Sequence, residues 1–79
     1  MTDRQLKNTI YKCRLRLADT LLFSIELSEE VEARKDISPD TAVSLSDEVK
    51  ETLRTMEDVK LNLTNLRTQL SLITNLKLL

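Results

Sequence analysis

The sequence contains no glycine, no histidine and no tryptophan, and only one proline, one tyrosine and one phenylalanine among its 79 residues. Sheets need turn residues at short intervals, and Gly and Pro are foremost among them. Their scarcity, beside an abundance of Leu, Lys, Arg, Glu, Thr and Asp, predicts an all-α protein. A chain this short removes only about 60% of its extended surface on folding, so we expect a partner to supply part of its stability.

The absence of histidine removes the commonest general base, the commonest metal ligand and the usual activator of a Ser or Cys nucleophile. Glu26, Glu29 and Glu30 share one helical face, but the His that pairs with Glu in di-metal helical bundles is missing. We interpret them as a solvated acidic surface. We therefore expect no enzymatic activity, no metal site and no cofactor.

The single cysteine, Cys13, has no partner for an internal disulfide and falls on an apolar helical stripe, where a buried, inert thiol is expected. The N-terminal residues do not combine a basic patch, an apolar run and a cleavage site, so we expect no secretory signal, and the apolar run that begins at Leu21 ends at Glu26. That run is far shorter than the roughly 18 to 20 residues that cross a bilayer. We expect a cytoplasmic protein without a transmembrane span.

The net charge is −1, and the charges are unevenly distributed. Residues 1–20 are basic and residues 21–60 are acidic. The basic side chains near the N-terminus do not form one stripe, and aromatic residues are few, so we expect polar flanks and no nucleic-acid partner. A weaker alternative, binding of nucleic acid or a membrane surface through the basic ends, predicts affinity that falls steeply with salt.

One clear break divides the chain, at Ser38-Pro39-Asp40, where an N-cap residue, Pro at the first helical position and an acid in the first turn predict a helix start. We predict helix 1 over residues 3–34, a loop over 35–38 and helix 2 over 39–79. Two long helices with so short a connection favour an antiparallel helical hairpin of coiled-coil type, forming one domain over residues 1–79.

Helix 2 carries a heptad pattern, which we call the long seam. Nine of its ten positions are apolar, and they are Ala42, Leu45, Val49, Thr52, Met56, Val59, Leu63, Leu66, Leu70 and Ile73. A pattern sustained over nearly five heptads predicts packing against at least one other helix. The long seam is also explained, over its first three heptads, as the buried edge of the chain's own hairpin.

Helix 1 carries two apolar stripes that together span about 200° of its surface. The first stripe comprises Leu6, Ile10, Cys13, Leu17, Leu27 and Val31. The second stripe comprises Tyr11, Leu15, Ala18, Leu22 and Ile25. Helix 2 can cover only a narrow part of helix 1, so we expect the second stripe to need another neighbour.

The C-terminal cluster surrounds the last turns of helix 2 with leucines outside the long seam: Leu61, Leu72, Leu76, Leu78 and Leu79. A helix end that is apolar on all sides is buried in something larger or frays. Phe23 lies outside both stripes and is a further candidate contact. We predict that a protein partner is bound by Leu15, Leu22, Phe23, Ile25, Leu63, Leu66, Leu70, Ile73 and Leu76.

The two stripes from Leu6 to Val31, the break at Ser38-Pro39-Asp40 and the long seam from Leu63 to Ile73 resemble the small two-helix co-chaperones of type III secretion systems. The resemblance extends over the whole chain and concerns architecture. It implies a hairpin that pairs with a helical-repeat chaperone and holds an aggregation-prone needle subunit in the cytoplasm.

The sequence thus predicts a non-catalytic protein–protein interaction subunit that binds through apolar helix faces, with a co-chaperone role implied by the resemblance. Two alternatives stay open. One is a coiled-coil subunit of a larger assembly, such as a kinetochore or vesicle-tethering complex, and the other is a homo-oligomeric four-helix bundle.

Overall fold

A computed structural model describes the backbone of residues 1–78 and the side chains of residues 1–76. These residues form two long helices, α1 (Asp3–Ala33) and α2 (Pro39–Leu78). The predicted all-α class is confirmed. The predicted end of helix 2 at Leu79, and the side chains of Leu78 and Leu79 in the C-terminal cluster, lie outside the described residues.

A capping box begins α1. The Thr2 hydroxyl oxygen accepts a hydrogen bond from the Gln5 amide at 3.2 Å, and the Thr2 amide donates to Gln5 Oε1 at 2.8 Å. Two of the amides that a helix N-terminus leaves unpaired are thereby satisfied. Asp3 in the first turn adds a negative charge where the helix dipole favours one.

The end of α1 lies at Ala33, one residue before the predicted limit. Arg34 takes an extended conformation, with φ −92° and ψ 132°, so it no longer continues the helix. Its amide still donates to the Glu30 carbonyl at 3.1 Å, and its guanidinium forms an ion pair with the Glu30 carboxylate at 3.2 Å. Both bonds join Arg34 to the last turn of its own helix.

Ser38 caps the start of α2. Its hydroxyl oxygen accepts a hydrogen bond from the Thr41 amide at 3.2 Å, and its backbone carbonyl accepts from the Ala42 amide at 2.9 Å. Pro39 occupies the first helical position, where its missing amide proton leaves no hydrogen bond unmade. The break in the sequence and the start of α2 therefore coincide.

The chain divides into two units between Ile37 and Ser38, with one helix in each unit. Among the described residues none is buried, and the least exposed are the half-buried Cys13, Leu17, Ile37 and Val59. Cys13 was expected to be buried, and it is half-buried instead. The pairing of the two helices as a hairpin stays a prediction.

Candidate protein-binding surfaces

The long seam runs along α2 as a row of apolar side chains that is interrupted at Thr52. Apart from the half-buried Val59, its large apolar members are exposed, from 36% at Leu66 to 52% at Ile73. Leu63 and Leu70 lie between these two values on the same face. Apolar rows of this length on a helix are stable only when another surface covers them.

Thr52 is the polar position of the long seam, and its hydroxyl already has a partner. Thr52 Oγ1 donates to the Glu48 carbonyl at 2.8 Å, one turn earlier in α2. A hydroxyl bonded to its own helix leaves its methyl group to face a neighbour, and its burial leaves no donor unpaired. The long seam can therefore be covered along its whole length without a buried unsatisfied donor at this position.

The first stripe of α1 has the same property. Its spacing of four and three residues continues through Thr20 and Ser24, which fill the gap between Leu17 and Leu27. The Thr20 hydroxyl donates to the Arg16 carbonyl at 2.9 Å, and the Ser24 hydroxyl donates to the Leu21 carbonyl at 2.7 Å. Including these two, the first stripe is an unbroken seam from Leu6 to Val31 whose hydroxyl donors are all bonded locally.

The second stripe lies on another side of α1 and brings together Leu15, Leu22 and Ile25, three of the predicted contact residues. All three are exposed, Leu22 to 59%. At the N-terminal end of the stripe, the guanidinium of Arg14 lies 5.4 Å from the centroid of the Tyr11 ring, within the range of a cation–π contact. A positive charge therefore lies beside the N-terminal end of this apolar surface.

Phe23 does not join the second stripe. It is 67% exposed on a different side of α1, next to the first stripe. Leu76, which is 71% exposed, likewise lies beside the long seam and not on it. The predicted contact residues therefore lie on two surfaces, the second stripe and the long seam, and at two single positions beside the apolar rows, Phe23 and Leu76.

Acidic side chains are frequent on both helices among the described residues. No group of three or more His, Cys, Asp or Glu side chains there is placed to hold a metal ion. Over the same residues, neither α1 nor α2 is long and apolar enough to cross a membrane.

The locally bonded hydroxyls of Thr20, Ser24 and Thr52 are the feature that the sequence did not reveal. A Thr or Ser at a seam position reads as an interruption, and only the geometry shows that its donor is satisfied within the helix.

Comparison with protein-family models, with curated proteins and with solved structures found no match.

Proposed function

We propose that this chain is a non-catalytic interaction subunit that packs the apolar faces of its helices against helices of a protein partner. The observation that carries the proposal is that large apolar side chains line both helices in ordered rows while no described residue is buried. Exposed apolar residues scattered singly need no explanation, but continuous rows mark surfaces that bind something. A helical partner fits best, because a seam of period 3.5 interlocks with the same period on another helix.

In the first step of the proposal, α1 and α2 pair as an antiparallel hairpin through the first stripe and the long seam. The register that places Ser24 beside Thr52 pairs one polar position of each seam and leaves Thr20 beside the apolar Met56. All the other pairs of facing residues in this register are apolar: Leu6 with Leu70, Ile10 with Leu66, Cys13 with Leu63, Leu17 with Val59, Leu27 with Val49, and Val31 with Leu45. The local hydroxyl bonds support this pairing, because no described hydroxyl at these levels would lose a partner.

The second step concerns the surface that such a hairpin leaves uncovered. The second stripe lies away from the first stripe, and the residues after about Ile73 extend beyond the start of α1 in this register. Both surfaces remain apolar and available. They are the proposed contact with the partner.

A co-chaperone role is a finer form of the same proposal. It rests on the resemblance to type III secretion co-chaperones, and it names the partner class as a helical-repeat chaperone with a needle subunit. A structural coiled-coil subunit uses the same surfaces with a different partner. The identity of the retained protein distinguishes the two.

The test is affinity purification with the tagged full chain, comparing wild type with the double variant Leu70→Asp/Ile73→Asp. The control is Thr68→Asp/Asn75→Asp, which adds the same two charges to the same turns of α2 away from the long seam. We expect a protein that is retained by wild type and by the control, and that is lost with the seam variant. A buried, unpaired carboxylate costs several kcal/mol, so the expected loss of affinity is more than about 100-fold.

Circular dichroism on the same variants shows whether each chain is still helical. Reconstitution with the purified partner then gives the affinity directly. Equal retention by all three chains would remove the seam from the proposal. If no protein, including a second copy of the chain, is retained at any concentration, partner binding itself is wrong.

A further inference from the structure

The charges of α1 are divided between its two halves. Residues 3–18 carry five basic residues and one acid, a net charge of +4, and residues 19–33 carry five acids and no base, a net charge of −5. This order opposes the helix macrodipole, which favours acids at the N-terminus and bases at the C-terminus. No basic residue lies in the last turn of α1.

This arrangement disfavours α1 as an isolated helix and suits it to one particular neighbour. A second α1 lying antiparallel would place each basic half beside an acidic half. A parallel second α1 would place like charges beside each other. Electrostatic complementarity of this kind selects partner and orientation more than it adds raw affinity.

From this charge order and the exposed second stripe we infer that the stripe is an antiparallel contact with α1 of a second copy of the chain. The inference rests on the proposed function and names the partner of one of its surfaces. The second stripe runs from Tyr11 to Ile25, and a two-fold axis level with residues 19–21 overlaps the two stripes from Leu15 to Ile25. The contact is then isologous, with the same residues supplied by both copies.

One edge of the second stripe gives a specific pairing. Lys12, Asp19 and Glu26 follow each other at seven-residue intervals and lie along the same edge. In an antiparallel pair, this edge of one helix faces the same edge of the other. Lys12 of each copy therefore lies beside Glu26 of the other copy, which gives two such pairs. Asp19 meets Asp19 of the second copy at the axis.

The opposite edge is compatible with this pairing. Leu21 meets Leu21 of the second copy at the axis, and Arg14 lies beside Ser28. Within the described residues the ion pairs of the chain are Glu30 with Arg34 and Glu51 with Arg54, so Lys12 and Glu26 form none within their own helix. Both charges are free to pair across the interface.

The test is a charge reversal on the full chain, measured as the dimer dissociation constant by analytical ultracentrifugation at low salt. Lys12→Glu alone and Glu26→Lys alone each create two like-charge pairs, and we expect each to weaken dimerisation roughly tenfold. The double variant Lys12→Glu/Glu26→Lys recreates both pairs with reversed sign and keeps the net charge, so we expect it to restore the wild-type constant.

A parallel contact gives a different result, because Lys12 and Glu26 would not meet and the double variant would not be rescued. Asp19→Asn supplies a second, gain-of-affinity readout. It removes the like-charge pair at the axis and should tighten the dimer, whereas the control Asp47→Asn on α2 should leave the constant unchanged.

Failure of the inference is distinguishable from failure of the proposed function. A wild-type chain that stays monomeric at all concentrations, or a double variant without rescue, overturns the α1–α1 contact. The loss of a different protein with Leu70→Asp/Ile73→Asp would still support partner binding that depends on an intact long seam. Circular dichroism at each concentration excludes unfolding as the cause of a lost dimer.

Discussion

At the scale of single residues, three hydroxyl groups determine whether the apolar seams can be covered without leaving a hydrogen-bond donor unpaired. Thr20, Ser24 and Thr52 each donate to a carbonyl of the preceding turn, so none of the three hydroxyl donors is left unpaired. A seam interrupted by such residues can be covered by a neighbour at low energetic cost. It can also face water, because an exposed hydroxyl accepts hydrogen bonds from solvent.

Replacement of Thr52 by Val tests whether the long seam is covered. If a neighbouring helix covers it, the added apolar surface should raise the free energy of unfolding by about 0.5–1 kcal/mol. Thr64→Val is a matched control, because Thr64 Oγ1 donates to the Lys60 carbonyl at 2.8 Å in the same way but lies off the seam. We expect its effect to stay within about 0.5 kcal/mol.

Urea denaturation followed by circular dichroism measures both variants at one protein concentration. Equal changes for Thr52→Val and Thr64→Val would mean that the long seam is not covered under those conditions.

Ser38 is the second residue with a definite energetic role, because its side chain accepts the amide of Thr41 at the start of α2. Ser38→Ala removes this cap and should lower the free energy of unfolding by about 1 kcal/mol. Ser46→Ala, inside α2, should instead raise it by a few tenths of a kcal/mol because Ala has the higher helix propensity. Opposite signs in a urea titration support the capping role, and changes of the same sign contradict it.

At the scale of helices, the existence of α1 and α2 could be predicted because their signals are local. The cap at Ser38 followed by Pro39, and apolar residues at helical spacing, act within a few residues of each other. The C-terminal end of α1 was harder to predict from the sequence. Arg34 leaves the helix without the Gly or Asn that usually marks such an end.

The contact surfaces were predictable only as apolar rows. Leu15, Leu22 and Ile25 share a side of α1 because their spacing requires it, whatever lies against them. Which molecule packs against that side of α1 depends on the surface of that molecule as well. The sequence of this chain can indicate the binding molecule only through features that complement it, such as charge. The opposite net charges of the two halves of α1 are such a feature. They become visible when the charges are counted along the helix and not summed over the whole chain.

At the scale of the whole molecule, the proposed contacts respond to salt in opposite directions. Residues 39–58 of α2 carry six acids and two bases, so an antiparallel hairpin brings this acidic half beside the acidic half of α1. Added salt screens that repulsion and should stabilise the hairpin. The proposed α1–α1 contact joins opposite charges, so the same salt should weaken it.

Thermal unfolding between about 0.05 and 0.5 M NaCl, at several protein concentrations, separates the two effects. The part of the stability that depends on protein concentration should fall with salt, and the independent part should rise. Sucrose at matched osmolality serves as the uncharged control. A concentration-dependent part that rises with NaCl would contradict the charge pairing of the second stripe.

The caps of the two helices have a consequence for how the molecule changes partners. Thr2 bonds to Gln5, Arg34 to Glu30 and Ser38 to Thr41, so each of these helix ends is closed by residues of its own helix. Exchange of a neighbour at one helix therefore breaks none of the hydrogen bonds that close the other. We therefore expect a change of partner to alter the side-chain contacts along the seams while these hydrogen bonds at the helix ends are kept.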